Sequence, residues 1–135
     1  MKLEIEKRET QGIVILDLKG RITLGEEDQV LRRRLGVLLA TGHNRVILNV
    51  KGVSDIDTAA LGTLVFYARR YSEAGGKLVL LHLHDAHTKL SDMLRLNAAF
   101  ETYGDEVEAI NSFFPERAVS HYDILDFVEE QERKR

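Results

Sequence analysis

The stretch Val53–Arg70, VSDIDTAALGTLVFYARR, decides how this chain reads. An apolar lead runs into Asp57, Thr58 and two alanines follow, and from Leu61 onward apolar residues recur with the period of an amphipathic helix. Asp57 suits the N-cap, because its carboxylate accepts first-turn amides and meets the positive end of the helix dipole. Thr58, Ala59 and Ala60 are small enough to let another molecule approach that end. Leu61, Leu64, Val65, Ala68 and Ser72 share one face of the helix, whereas Thr63, Phe66, Tyr67 and Arg70 share the opposite one. Gly75-Gly76 ends it.

The flanking segments alternate between strand and helix. Leu3 and Ile5 alternate with charged residues as a half-buried strand, and Gly12–Gly20 (GIVILDLKG) reads as its more buried neighbour, joined by a turn at Gln11-Gly12. Leu31, Leu35 and Leu38, widened by Val30 and Leu39, predict a helix closed by Gly42 in a left-handed cap. Arg45–Val50 (RVILNV) and Lys77–Leu83 (KLVLLHL) are nearly all apolar, as strands covered on both faces are, and the first is expected to end near Val50. Leu90, Met93, Leu94 and Asn97 lie at helical spacing, and a short strand near Glu101–Tyr103 precedes a helix from about Asp105. A hairpin followed by β-α repeats predicts an α/β single domain. Its mixed sheet has four to five strands, parallel inside, with helices packed mainly on one face. Residues 1–112 form that domain in this reading, and 113–135 a C-terminal extension in which Tyr122, Leu125 and Val128 are spaced for a final helix that frays at its charged end.

Composition narrows the function. At 135 residues, 44% hydrophobic and 30% charged, the chain suits one globular core. A net charge of −3 lacks the electrostatic footprint of a nucleic-acid binder, and the one basic cluster, Arg32-Arg33-Arg34, reads as a solvated helix flank. There is no cysteine, hence no disulfide and no thiolate chemistry. The start, MKLEIEKRET, has no signal-peptide core, and no apolar run is long enough for a membrane span. The expectation is a cytoplasmic protein with neither membrane insertion nor a nucleic-acid partner.

Three chemistries compete at the motif and near it. Asp55 and Asp57 in DIDT echo the D-x-D of phosphatases that form a phosphoaspartate. A strand ending near Val50 would leave both aspartates away from a strand end, and the lysine and further acidic metal ligands of that class are not evident. His82, His84 and His87 in HLHDAH, with Asp85, resemble a zinc cluster in which His82 and His84 would share a sheet face. The plainer reading is a surface strand end with no metal. Without a phosphate-cradling glycine loop the sequence gives no ground to infer a nucleotide, and no cofactor is expected. The third chemistry is recognition at a helix N-terminus.

In IDTAALGTLVFYARR, set between an apolar strand and GGKLVLLHL, the chain resembles the signature of the STAS family, which includes the anti-sigma factor antagonists of bacteria. The family pattern is Asp, two hydroxyl residues, Gly, Leu or Ile, then Gly; here it stands as Asp57, Thr58, Ala59, Ala60, Leu61, Gly62. The resemblance covers roughly residues 1–112. It implies a mixed sheet and protein binding in place of catalysis. The unphosphorylated antagonist binds an anti-sigma factor that is also a serine kinase, and phosphorylation of the second hydroxyl residue breaks the complex by adding about two negative charges to a packed interface.

This chain departs from the pattern at Ala59, which holds the phosphoacceptor position and cannot accept phosphate, and at Ala60, which replaces a glycine. Thr58 is the one neighbouring hydroxyl available as a substitute. The resemblance therefore implies a regulator that binds an anti-sigma factor of the kinase type without the usual off-switch. Contacts are expected at Asp57, Thr58, Ala59, Ala60, Thr63, Phe66, Tyr67 and Arg70, and at Thr23, Gly25 and Glu26 of the adjacent loop. Phe66, outward beside Tyr67 and Arg70, has the composition of an interface hot spot unless the C-terminal segment covers it, and a homodimer through it is open. The alternative is a STAS subunit that binds a component of a lipid or anion transport system.

Overall fold

The structure, a computed structural model, describes residues 3–23, 26–86 and 89–116. Strands β1 (Glu4–Thr10) and β2 (Ile13–Ile22) form an antiparallel hairpin. Its turn residues, Gln11 and Gly12, have φ of 54° and 79°, the positive pair that a tight hairpin turn requires. The chain then winds through α1 (Glu26–Ala40), β3 (Arg45–Ile56), α2 (Thr58–Glu73), β4 (Lys77–Leu81), α3 (Leu90–Ala99), β5 (Thr102–Tyr103) and α4 (Glu106–Asn111). The five-stranded sheet has the order β1-β2-β3-β4-β5, with every pair after the hairpin parallel.

Side-chain alternation divides the core between two faces. On one, Val14, Leu16, Leu18, Val46, Leu48, Leu78 and Leu80 meet Leu31, Leu35 and Leu38 of α1, Leu61, Leu64 and Tyr71 of α2, and Leu96 of α3. On the other, Ile13, Ile15, Ile47, Val79 and Leu81 meet Ala109 and Ile110 of α4, and this packing continues through Phe113 and the partly buried Phe114. Burial on both faces is why β3 and β4 read as unbroken apolar runs. Ionic contacts fasten α4 across the sheet. Arg8 donates to both carboxylate oxygens of Asp17 and of Glu106, Asn49 donates to Asp17, and Lys77 reaches Glu101 and the Ser112 carbonyl. Burial alone would raise the Asp17 carboxyl, but the hydrogen bonds from Arg8 and Asn49 outweigh it and hold the group below its ordinary value.

Helices α1 and α2 are joined by a buried bond. The Tyr71 hydroxyl donates to the Leu35 carbonyl at 2.7 Å, and Tyr71 is 0% exposed. Gly36 lets the helices come this close, since a Cβ there would lie 3.1 Å from the Tyr67 hydroxyl. Gly42, with φ of 85°, closes α1 as its left-handed cap.

Three features differ from the sequence expectation. Strand β3 runs to Ile56 instead of ending near Val50, because β2 continues beside it through Gly20–Val53, Arg21–Asp55 and Ile22–Ile56 after two register shifts, and Val53 and Ile56 are buried. Strand β4 stops at Leu81; His82 turns left-handed (φ 63°) into a short 3-10 turn over Leu83–Asp85, so His82 and His84 do not share a sheet face. Helix α3 seats the stripe of Met93, Leu96 and Phe100 on the core and leaves Leu90 and Leu94 exposed.

Candidate functional site: the start of helix α2

The extended strand β3 delivers Asp57 directly to the head of α2. Its backbone N–H donates to the Ile22 carbonyl at 3.1 Å, which ties the motif to the end of β2. Its side chain caps the helix, Oδ1 accepting from the Ala60 N–H at 2.9 Å, while its carbonyl accepts the first helical bond, from Leu61. The capping role expected of Asp57 is therefore met. Thr23, half-buried, follows the Ile22 anchor and so adjoins this end; Glu26 opens α1, and Gly25 lies outside the described residues.

Thr58 and Ala59 are exposed on the first turn of α2 while Ala60 is buried beneath it. The two exposed residues open to different sides. Ala59 lines a shallow cavity of about 330 Å³ toward α1, together with Arg32, Gly62, Thr63 and Phe66. Thr58 lines a separate polar cleft of about 350 Å³ toward α3, whose charged members are Asp55, Asp57, Lys89, Asp92 and Arg95.

The face assigned to Thr63, Phe66, Tyr67 and Arg70 divides. Phe66, 56% exposed, and Arg70 point to solvent. Thr63 does not: it is 5% exposed, its hydroxyl accepting from Arg32 Nη2 at 3.0 Å and donating to the Ala59 carbonyl at 3.3 Å. Tyr67 is half-buried, edge-on to Phe66 at 5.1 Å and to Tyr71 at 6.5 Å. A helical wheel places these residues by angle alone, and here α1 covers one flank of the wheel. Conversely Val65 and Ser72, placed on the core face by spacing, are exposed. Arg32 is the residue the sequence reading missed. As part of Arg32-Arg33-Arg34 it passes for a solvated flank, and only the approach of α1 to α2 sets it over Thr63.

The competing chemistries fare differently from their sequence readings. Strand β3 ends immediately before Asp57, so the strand-end objection to a reactive aspartate falls. The Asp57 carboxylate is engaged in the cap, however, and Asp55 lies 3.6 Å from Arg21. Among the described residues no group of three His, Cys, Asp or Glu side chains is placed to hold a metal ion. His82 Nδ1 lies 3.4 Å from Asp85, His84 is exposed, and His87 lies outside the described residues. No helix among the described residues is long and apolar enough to cross a membrane.

Comparison with known proteins agrees with this architecture. None of the curated proteins compared with the chain matches it. Among solved structures, TM1081 of Thermotoga maritima superposes with a TM-score of 0.66 at 20% identity, covering 81% of this chain and 93% of its own. An anti-sigma factor antagonist from Mycobacterium paratuberculosis gives 0.65 at 13% identity, over 83% and 94%. The anti-sigma factor antagonist SpoIIAA in its unphosphorylated form gives 0.64 at 18%, over 82% and 96%. At these identities the likeness is one of fold. The family model of the STAS domain matches residues 4–109, and the chain belongs to the STAS family.

Proposed function

From its place in the STAS family, we propose that this chain is a non-catalytic, anti-sigma factor antagonist-like regulator. It binds an anti-sigma factor of the serine-kinase type through the start of α2. The observation that carries the reading is the position of Ala59, exposed on the first turn beside a cavity walled by Arg32 and Phe66. Small residues at the floor (Ala59, Gly62) admit a partner's side chain. Phe66, braced edge-on by Tyr67, supplies the rigid aromatic anchor typical of interface hot spots.

Ala59 also removes the usual means of release. A methyl group accepts no phosphate, and the nearby hydroxyl of Thr58 lines the cleft toward α3, away from the Arg32–Phe66 cavity. A phosphate on Thr58 would place its charge on a different side of the helix. Release is thus governed by something other than phosphorylation at this turn.

The test is incubation with ATP and a kinase-type anti-sigma factor from the same genome, followed by intact mass and affinity measurement. A stable complex with no added phosphate supports the reading, and Ala59→Ser is expected to gain one phosphate and lose the partner. Phosphate mapped to Thr58 of the unaltered chain, with loss of binding, would overturn it. Phe66→Asp is expected to weaken binding while leaving the fold intact; unchanged affinity removes this face from the interface.

A further inference from the structure

Parallel strands are ordinarily buried on both faces, and on the face away from α2 this sheet is covered for only part of its length. Helix α4 seats on Ile13 and Ile15 of β2, Ile47 of β3, and Val79 and Leu81 of β4. Farther along β2 and β3, toward their carboxyl ends, polar side chains take over: Asp17, Lys19, Asn49 and Lys51. They open on a cleft of about 640 Å³, larger than either cavity beside the start of α2 and lined by residues of β1, β2 and β3 alone.

The floor of this cleft is held in place. Arg8 donates to both Asp17 oxygens and Asn49 donates to one of them, while Asn49 Oδ1 accepts the Lys51 backbone N–H at 3.1 Å. A bulge shapes it further. Asp17 faces Asn49 and Lys19 faces Gly52, so three steps along β3 match two along β2. Bulges re-aim side chains and are frequent next to active sites, and this one brings Lys19 and Lys51 to the same cleft. Only glycine fits at position 52 without a shift, since a Cβ there would lie 2.8 Å from the Leu18 carbonyl oxygen.

Charge is left over at both sides of the cleft. On β1, Glu4 stands opposite Lys19 and Glu6 opposite Asp17. Asp17 is paired with Arg8, but among the described residues Glu4, Glu6, Lys19 and Lys51 make no ion pair. The cleft therefore presents two carboxylates along β1 and two ammonium groups along β2 and β3. From β1 to β3 is two strand spacings, about 10 Å. This arrangement is complementary to a molecule that carries one charge of each sign on a short polar body. A simple anion would be repelled by Glu4 and Glu6, and an apolar ligand would strip water from all four charges. An extended peptide of two or three residues with free termini spans about 7–10 Å, which matches the distance.

We infer that this cleft binds a small zwitterion of the size of a short free peptide, its cationic end at Glu4 and Glu6 and its anionic end at Lys19 and Lys51. Asp17, committed to Arg8 and Asn49, forms the floor under its body. The site lies on the face of the sheet away from α2, so it stands or falls independently of partner binding at Ala59.

Triglycine with free termini is the probe, titrated near neutral pH into the isotope-labelled full-length chain and followed by backbone amide shifts. It is expected to shift Asp17, Lys19, Asn49 and Lys51 saturably, with a Kd below about 10 mM, and to leave Thr58 to Phe66 in place. Lys19→Ala with Lys51→Ala, and separately Glu4→Gln with Glu6→Gln, are each expected to weaken binding by about tenfold or more. All four side chains are exposed, so both variants keep the fold, and unchanged shifts elsewhere in the spectrum verify it. Triglycine blocked at both ends, which carries no charge, is expected to shift nothing. No saturable shift with the free peptide, or equal shifts with the blocked one, would overturn the inference. If inorganic phosphate moves the same amides as strongly as triglycine and the glutamate substitutions leave triglycine binding unweakened, the cleft is a simple anion site and the zwitterion inference falls.

Discussion

Replacing Tyr71 with phenylalanine tests the contact that sets α1 against α2. The hydroxyl is buried and donates to the Leu35 carbonyl at 2.7 Å, so Tyr71→Phe removes one hydrogen bond and leaves its acceptor without that donor. The expected loss near neutral pH is about 1–2 kcal/mol. With a urea dependence of about 2 kcal/mol per molar, the unfolding midpoint drops by about 0.5–1 M. The pH profile gives the sharper check. Burial, reinforced by Tyr67, raises the Tyr71 hydroxyl above its ordinary value of 10.0. A group raised in this way contributes its stability in full below the unfolded value and loses it as pH climbs toward the folded one, because the unfolded chain ionises first. One unit above the unfolded value that loss is about 1.4 kcal/mol, and phenylalanine does not share it. Urea titrations of the two proteins at neutral pH and near pH 11 are therefore expected to converge, since the other tyrosines cancel in the difference. A gap that stays constant across that range would refute the argument that the Tyr71 hydroxyl is sealed from water.

Other substitutions probe the site and the second face of the sheet. Asp57→Ala removes the cap of α2 and is expected to cost about 1 kcal/mol, or about 3–5 °C in thermal midpoint; a loss within error would mean the cap is not what orders the motif. Gly62→Ala adds a methyl group that meets nothing within 4 Å and gains up to about 1 kcal/mol in helix propensity, so calorimetry should show a more stable protein. The same methyl intrudes on the Ala59 cavity, and partner affinity is expected to fall; a rise in both would show that the cavity is not part of the interface. Asp17, held below its ordinary 3.8 by Arg8 and Asn49 against the effect of burial, contributes stability that is present above that value and lost as pH falls through the lowered one. Arg8→Met is therefore expected to flatten the acid limb of a circular-dichroism titration, and an unchanged slope would show that the Arg8–Asp17 contact does not hold in solution.

What could be read from the chain alone depended on whether the deciding contact was local. The Gln11-Gly12 hairpin, the Gly42 cap and the Asp57 cap are set by residues within one turn of each other, and all are legible as spacing. The second half of β3 was not legible, because Gly52, Ser54 and Asp55 break the apolar run. What makes that half a strand is β2, extended beside it through Gly20–Val53, Arg21–Asp55 and Ile22–Ile56, partners far apart in the sequence. The site shows the same division. That an alanine, Ala59, follows Thr58 at the head of α2 is visible in the motif, whereas the burial of Thr63 depends on the Arg32 guanidinium of another helix. Periodicity gives the angle at which a residue leaves its helix, and not what stands in that direction; Leu90 and Leu94 have helical spacing and still face water.

The first strand bears on how copies of the chain behave when crowded. Strand β1 borders the sheet, and a bordering strand exposes a row of amides and carbonyls to which any other extended chain can add. Five of its seven residues are charged: Glu4, Glu6, Lys7, Arg8 and Glu9. A strand added alongside would have to desolvate these groups or place them against its own, and the far border, β5, is only two residues long. Neither margin of the sheet is therefore a template for growth into fibres. Association of copies through the margins of the sheet is thereby disfavoured, although Phe66 stands 56% exposed elsewhere on the surface.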